Sequence, residues 1–221
     1  MVFLSSLRGS TITPRLSEEG TKGWCRMIAG LILAAGESSR MGTPKATLAY
    51  RGRTFLETIV QTLRGADIER IVVVLGHGAE EIQRQIGIEP AQVVINPDYR
   101  SGQTSSLQVG LRALLADEPE GVLLCLVDHP AVGTETVRRI VATFGHCVAP
   151  VVIPTYQGRR GHPVLIGRQL FDELLRLASD AGADSVVRRY RPATQFVAVE
   201  DEGVVIDVDD PESYRKLTSR Q

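Results

Sequence analysis

Apolar runs that alternate with amphipathic segments are the feature that most constrains the fold of this chain. The predicted strands cover residues 28–35, 70–76, 92–96 and 121–128, and the predicted helices cover residues 54–65, 79–86, 105–116 and 133–144. Thr104 or Ser105 is the expected cap of the third helix. Strands that are apolar on both faces and alternate with helices indicate a parallel sheet covered on both sides. We therefore predict an α/β fold with one doubly wound, mostly parallel sheet.

The loops that follow these strands are expected to meet at one edge of the sheet. Ligands of such sheets bind beyond the carboxyl ends of the strands. The loops at 35–46, 76–78, 96–104 and 128–130 should therefore form the binding site.

The last third of the chain has a different pattern. Residues 150–166 predict two strands joined by a turn that contains glycine and arginine, and helical segments follow near 168–177 and 182–190. We expect this part to pack on the same sheet, so that residues 27–221 form one domain. Residues 1–26 lack helical or strand periodicity, and we interpret them as a disordered N-terminal extension or as a start placed upstream of Met27.

The composition argues against several classes of protein. The 221 residues carry a net charge of −1, so the chain as a whole is not expected to bind nucleic acid or a membrane surface. Its apolar runs are all shorter than the roughly 18 residues of a transmembrane helix. Its three cysteines form no CxxC pair, which argues against a disulfide framework and fits a cytoplasmic protein.

The loop "LAAGESSRMGTPK" at residues 33–45 is the candidate anion-binding segment. Its spacing matches neither a P-loop nor GxGxxG, and Pro44 disfavours helical geometry at Thr43. Backbone N–H groups around small residues can form an anion nest, and Arg40 and Lys45 would add two positive charges suited to a triphosphate. A solvated turn with outward basic residues is the alternative.

The same loop resembles the signature loop of sugar-nucleotide-like nucleotidyltransferases, and most closely that of molybdenum cofactor cytidylyltransferases and the neighbouring guanylyltransferases. Further blocks resemble the family in family order at 96–111, 126–130, 158–165 and 207–214, so the resemblance covers about residues 28–217. It implies a Rossmann-like nucleotidyltransferase fold and a Mg²⁺-dependent enzyme. That enzyme would transfer CMP from CTP to molybdopterin cofactor and release pyrophosphate.

The resemblance also implies which residues hold the nucleotide. They are Leu33, Ala34, Ala35, Gly36, Arg40, Lys45, Gly102 and Ser106. Backbone groups of the first four would line the base and the ribose, while Arg40 and Lys45 would bind the triphosphate. Gly102 would permit close approach of the chain, and Ser106 would contact the base. Ala35 favours CTP, because related guanylyltransferases often have glycine at this place.

Two carboxylates are the candidate metal ligands. Asp128 ends an apolar strand where ligands bind, and the resemblance makes it a magnesium ligand and, with Arg40 and Lys45, a catalytic group. From the residues alone, a strand-end Asp that caps the next helix is the alternative. The resemblance also makes Asp209 the second candidate ligand, with Asp207 in reserve. Asp210 fits better as a helix N-cap before proline.

The block "GRRGHPVL" at 158–165 would hold the acceptor. Arg160 and His162 are the candidate contacts to a molybdopterin-type phosphorylated acceptor, because the family binds its acceptor near this block. Composition alone gives only a solvated turn with two arginines. His129, next to Asp128, could orient that carboxylate or contact the acceptor.

Several alternatives stay open at this point. The nucleotide could be GTP with the same acceptor, or CTP with another phosphorylated metabolite. An NAD(P)H- or flavin-dependent oxidoreductase could use the same sheet, although GxGxxG is missing. A chaperone that carries the cofactor to a molybdoenzyme is a further possibility, but Arg40, Lys45 and Asp128 argue against a purely passive role.

Overall fold

Ten strands and seven α-helices make up the regular structure of the described residues. The computed structural model describes residues 27–89, 91–147, 149–178 and 181–219, so the predicted N-terminal extension lies outside them. The strands are β1 (Ile28–Ala34), β2 (Ala49–Tyr50), β3 (Arg53–Thr54), β4 (Ile71–Leu75), β5 (Gln92–Ile95), β6 (Gly121–Leu126), β7 (Val151–Tyr156), β8 (Arg159–Arg160), β9 (Val164–Gly167) and β10 (Gln195–Ala198). The helices are α1 (Phe55–Gly65), α2 (Ala79–Gln85), α3 (Gln103–Leu114), α4 (Thr134–His146), α5 (Phe171–Leu175), α6 (Asp184–Arg189) and α7 (Pro211–Thr218).

The main sheet is mostly parallel, as the sequence predicts. Its strand order is β10-β7-β9-β6-β1-β4-β5, with β8 paired to β7. The central strand β1 pairs in parallel with β4 and β6, so that Leu33 lies opposite both Val74 and Leu126. β9 is antiparallel to both of its neighbours, β6 and β7. β2 and β3 form a separate two-stranded ribbon.

Helices cover both faces of this sheet, which is why its central strands are apolar throughout. On one face, α1 and α4 bury residues such as Leu63 and Ile140 against the sheet. On the other face, α3, α5 and α6 bury residues such as Leu111 and Leu174. None of the helices in the described part of the chain combines the length and the hydrophobicity needed to cross a lipid bilayer.

Helix α3 lies unusually close to β1 because of a glycine. A Cβ atom at Gly110 would lie 2.2 Å from Leu31 Cδ1, well inside van der Waals contact. Ser106 is four residues earlier and therefore lies on the same face of the helix, one turn nearer its N-terminus. The close contact between helix and strand thus places Ser106 beside the carboxyl end of β1.

The last third of the chain packs on the same sheet, but its topology goes beyond the prediction. The segment 150–166 forms β7, the short β8 and most of β9, rather than two strands. Gln157 and Gly158 form the turn with positive φ angles. Arg160 therefore lies on β8, opposite Thr155, rather than at the tip of the hairpin.

Candidate active site

A cleft of about 380 Å³ opens at the carboxyl ends of β1 and β6. It contains every residue that the sequence predicts to bind the nucleotide. They are Leu33, Ala34, Ala35, Gly36, Arg40, Lys45, Gly102 and Ser106. Asp128 and Asp209, the two candidate metal ligands, line the same cleft. The expected position beyond the strand ends is therefore where these side chains meet.

The loop after β1 is held in shape by its own serine. The Ser38 carbonyl accepts hydrogen bonds from the N–H groups of Met41 and Gly42, which makes a tight turn. The Ser38 hydroxyl accepts a third bond from the Lys45 N–H at 3.1 Å. After Pro44, a short 3₁₀ turn at Lys45–Thr47 directs the chain back toward the sheet. Sequence reasoning missed the role of Ser38, because the role depends on this turn.

Lys45 lies between the two acidic residues of the cleft. Its Nζ atom is 2.6 Å from Asp209 Oδ1 and 3.4 Å from Asp128 Oδ2, and its side chain is only 13% exposed. Arg40 also donates to Asp209, at 2.8 Å, from a largely exposed position. The hydrogen bond from Lys45 holds the pKa of Asp209 below its ordinary value, with partial burial opposing it. Asp209 is therefore ionised at neutral pH.

A backbone contact brings the late acidic block to the strand end. The Val208 N–H donates to the Asp128 carbonyl at 2.9 Å, so Asp209 lies next to Asp128. Asp210 is the N-cap of α7, where its carboxylate accepts from the Ser213 N–H at 2.8 Å and Pro211 follows. The predicted capping role of Asp210 is therefore confirmed. The cap fixes the start of α7 and, with it, the position of Asp209.

The two carboxylates suit a divalent cation. Asp128 Oδ1 is buried, and none of the described residues donates a hydrogen bond to it. A buried carboxylate oxygen is costly unless a cation or a donor satisfies it. The described residues contain no group of three His, Cys, Asp or Glu side chains placed to bind a metal. Asp128 and Asp209 would therefore share the ion with phosphate oxygens and water, the ligands that Mg²⁺ and similar ions prefer.

Helix α3 begins earlier than predicted. It starts at Gln103 with Gly102 as N-cap, and neither Thr104 nor Ser105 caps it. Gly102 has φ 106° and ψ 176°, a conformation that glycine alone adopts readily, and this turns the chain directly into the helix. The Thr104 hydroxyl donates instead to the Ala181 carbonyl at 2.6 Å. The predicted cap was therefore wrong, because the backbone of Gly102 starts the helix.

The rim of the cleft carries an ion pair and a ring that the sequence did not predict. Arg100 donates to Glu37 at 2.8 Å and links the first loop to the segment before α3. This hydrogen bond lowers the pKa of Glu37. Tyr99 lines the cleft, and its hydroxyl lies 3.2 Å from Nδ1 of His77. These residues follow the ends of strands β1, β4 and β5, and that position in the sequence could have predicted that they surround the cleft.

The two candidate acceptor residues lie outside the lining of the cleft. Arg160 is exposed on β8. The His162 ring packs against the His129 ring with centroids 4.9 Å apart, beside a small apolar pocket. Burial lowers the pKa of His162 to about 4, so the ring is neutral at pH 7. His129 Nε2 is in turn 3.8 Å from Asp128 Oδ1, which connects this histidine pair to the cleft.

The doubly wound sheet, the strand-end cleft and the paired carboxylates around a lysine define a nucleotide-handling α/β enzyme. Residues 30–194 match the family model described as the MobA-like NTP transferase domain. The chain therefore belongs to the MobA-like NTP transferase family, and it is a nucleotidyltransferase. Asp209 lies beyond the matched residues, although the fold brings it to the cleft.

The chain is similar over most of its length to three known proteins. "Nicotine blue oxidoreductase" of Paenarthrobacter nicotinovorans is 33% identical over 202 residues, which are 86% of this chain and 96% of that protein. "Molybdenum cofactor cytidylyltransferase" of Escherichia coli is 25% identical over 190 residues, 83% of this chain and 92% of that protein. Rv0371c of Mycobacterium tuberculosis has a solved structure with a TM-score of 0.78 and 34% identity, covering 87% of this chain and 97% of that one.

A second structure of Rv0371c is a complex with manganese. It matches with a TM-score of 0.73 and 30% identity and covers 88% of this chain and 100% of that one. A relative of the same fold is therefore known in complex with manganese.

Proposed function

We propose that this enzyme transfers CMP from CTP to a molybdopterin-type phosphorylated acceptor and releases pyrophosphate. The observation that carries the proposal is the cleft in which Lys45 lies between Asp128 and Asp209, directly beside the loop that begins at Leu33. This arrangement offers one positive group and two metal-binding carboxylates to a triphosphate. The relationship to the cytidylyltransferase of Escherichia coli supports this acceptor.

The chemistry needs no covalent intermediate on the protein. An oxygen of the acceptor phosphate forms a bond to the α-phosphorus of CTP, the bond from that phosphorus to the β-phosphate oxygen breaks, and pyrophosphate leaves. The acceptor is already anionic, so a general base is not required. Lys45 and Arg40 would stabilise negative charge on the transferred and leaving phosphates. To do so, both must exchange their contacts with Asp209 for phosphate oxygens.

Asp128 and Asp209 would hold a Mg²⁺ ion. When bound, this ion supplies positive charge to the phosphates and orients them for in-line displacement. The buried Oδ1 atom of Asp128, which accepts no hydrogen bond from the described residues, supports its role as a ligand. The position of Asp209 beside Lys45 supports the choice of Asp209 over Asp207 and Asp210, because Asp210 is committed to the N-cap of α7.

The base would lie between the first loop and the start of α3. Ala35, Gly36 and Gly102 offer backbone groups there, and Ser106 offers a hydroxyl. The pattern at Ala35 favours CTP, and GTP with the same acceptor is the alternative within this proposal. Arg160 and His162 stay predicted acceptor contacts, and a molybdoenzyme that receives the product stays a predicted partner in the cytoplasm.

The first test is pyrophosphate release from CTP, GTP, ATP and UTP with Mg²⁺, each with and without molybdenum cofactor. Release from CTP that requires the cofactor is the expected result, and Asp128→Asn should abolish most of it. Release from GTP instead would keep the site and overturn the base assignment. No release from any of the four nucleotides would overturn the proposed reaction.

A second candidate function is dye or pterin reduction by NAD(P)H. The relative from Paenarthrobacter nicotinovorans, 33% identical, carries the name of an oxidoreductase. The first loop lacks the GxGxxG pattern of dinucleotide-binding sheets, which argues against this reading. Consumption of NADH or NADPH with an oxidised dye, recorded by the loss of absorbance of the nicotinamide, would support it. A purified enzyme that releases pyrophosphate but leaves NAD(P)H untouched would exclude it.

A further inference from the structure

A buried asparagine lies behind the cleft, at the point where β5 ends. Asn96 is 1% exposed, and its backbone N–H donates to the Leu75 carbonyl at 2.7 Å. Its side-chain Oδ1 accepts from the backbone N–H of Asp98 at 3.0 Å. A backbone N–H can only donate, so this bond fixes which end of the Asn96 amide is oxygen. The Nδ2 end must therefore face α3.

The Nδ2 group donates to two hydroxyls in the first turn of α3. It lies 2.8 Å from Ser105 Oγ and 3.0 Å from Ser106 Oγ. The Ser105 hydroxyl itself donates a hydrogen bond, either to the carbonyl of Gly102 at 2.8 Å or to that of Asp98 at 3.0 Å. Both hydrogens of the amide are thereby used, and Ser105 is satisfied as donor and acceptor.

Ser106 is left with a hydrogen to donate. Its oxygen accepts from Asn96, so its hydroxyl hydrogen must point elsewhere. Throughout the described ranges, no hydrogen bond donated by this hydroxyl is found, although the residue is only 3% exposed. Ser106 lines the cleft. The free hydrogen is therefore available to a ligand in the cleft.

We infer that Asn96 is a positioning residue that fixes Ser106 as a hydrogen-bond donor toward the base of the nucleotide. The inference rests on the proposed function, since it requires a nucleotide base beside α3. Cytosine carries an acceptor, N3, on its pairing edge, whereas uracil carries an N–H at the same place. A Ser106 hydroxyl fixed as a donor can hydrogen-bond to N3 of cytosine. With uracil, the hydroxyl hydrogen would face the N3–H hydrogen and no bond could form. Asn96 therefore gives the cleft its preference for cytosine.

The test is calorimetric binding of CTP and UTP, which needs no acceptor. We expect the unaltered enzyme to bind CTP at least about tenfold more tightly than UTP. Asn96→Ala frees the Ser106 hydroxyl to rotate, and the ratio should fall toward one. Asn96→Asp keeps the bond from Asp98 but offers only acceptors to α3, so Ser106 must donate to it. The Ser106 oxygen then presents a lone pair to the base, and the ratio of CTP to UTP affinity should shift further, in favour of UTP.

Two further variants separate this role from general support of the fold. Ser106→Ala should lose the CTP preference by itself, and adding Asn96→Ala to it should change the ratio no further, because Asn96 acts through Ser106. Ser105→Ala removes the other bond of the same amide and is the matched control, expected to keep the ratio. Thermal melting confirms that each variant is folded. If Asn96→Ala does not fold, Asn96→Asp carries the test.

The outcomes distinguish the inference from the proposed function. If neither CTP nor GTP binds the unaltered enzyme, the proposed function fails. If CTP binds but is not preferred over UTP, or if the Asn96 variants keep the preference, the inference is wrong while the proposed function stands. Independent effects of the Asn96 and Ser106 substitutions on the ratio would also overturn it.

Discussion

Removal of the Lys45 charge should strengthen metal binding while it weakens catalysis. The Lys45 ammonium contacts both Asp128 and Asp209, so a divalent cation that uses these carboxylates must compete with it. Lys45→Met keeps most of the length of the unbranched side chain and removes the charge. Two unit charges about 4 Å apart interact by roughly 1 kcal/mol in water and about 4 kcal/mol at an effective dielectric constant of 20.

The exposure of the site sets the expected size of the effect. The Lys45 side chain is 13% exposed and the Asp209 side chain 35% exposed, so solvent screens part of the interaction. We expect the free energy of Mn²⁺ binding without nucleotide to become more favourable by about 1–3 kcal/mol, which is roughly 5- to 150-fold tighter binding. Nucleotide transfer should fall by about 10²- to 10³-fold, because a positioned donor to the phosphates is lost.

Calorimetric titration with MnCl₂ measures the first effect, and pyrophosphate release measures the second. Lys216→Met on α7 is the matched control, since Lys216 pairs with Glu212 on the surface, and it should change neither. Adding Asp128→Asn to Lys45→Met should abolish the gain in Mn²⁺ affinity. Unchanged or weaker Mn²⁺ binding by Lys45→Met would refute the reasoning that the lysine and the metal share these carboxylates.

Three further predictions concern stability. Gly110→Ala should destabilise the fold by about 1–3 kcal/mol, measured by urea unfolding, because its Cβ would collide with the sheet. Asp210→Ala should cost about 1 kcal/mol in the same assay through loss of the N-cap of α7. The pKa of His162 is lowered to about 4 from 6.5, so the unfolded chain takes up a proton more readily and stability should fall as pH drops from about 6.5 to 4. His162→Gln should remove that part of the pH dependence, measured as unfolding free energy across this range.

Each of these predictions has a matched control. Gly145→Ala, near the end of α4, adds a Cβ that meets nothing within 4 Å and should not destabilise the protein. Asp210→Asn keeps a capping oxygen and should retain most of the stability. Gly145→Ala alters no titratable group and should also leave the pH dependence unchanged. Equal effects of a variant and its control would contradict the corresponding mechanism.

The sheet and the location of the cleft could be predicted from the sequence, because both follow from local patterns. Apolar runs separated by amphipathic segments specify parallel strands, and the loop from Leu33 to Lys45 follows the first of them. The place of Asp128 at a strand end follows from the same pattern. These inferences need only the chain near each residue and the rule that strand ends meet at one edge.

The remaining features depend on contacts between distant parts of the chain. Nothing local to the segment Val164–Gly167 says that it inserts antiparallel between two other strands. The burial of His162 follows from that insertion and could not be seen in a glycine- and arginine-rich turn. Asn96 similarly looks like an ordinary loop residue, because its function depends on where Asp98 and Ser106 lie around it.

The insertion of β9 has a consequence for the order in which the protein can be completed during synthesis. β9 pairs with β6 on one side and β7 on the other, so in the described part of the chain β10 and β7 join the rest of the sheet only through β9. Until Val164–Gly167 leaves the ribosome, the apolar strand β6 presents an unpaired edge, which is a template for association with other chains. A chain that stops before residue 164 would contain most of the nucleotide cleft and yet be exposed to aggregation. Strand β9 thus protects the nucleotide cleft from aggregation of the unfinished chain, although residues 164–167 are not among those that line it.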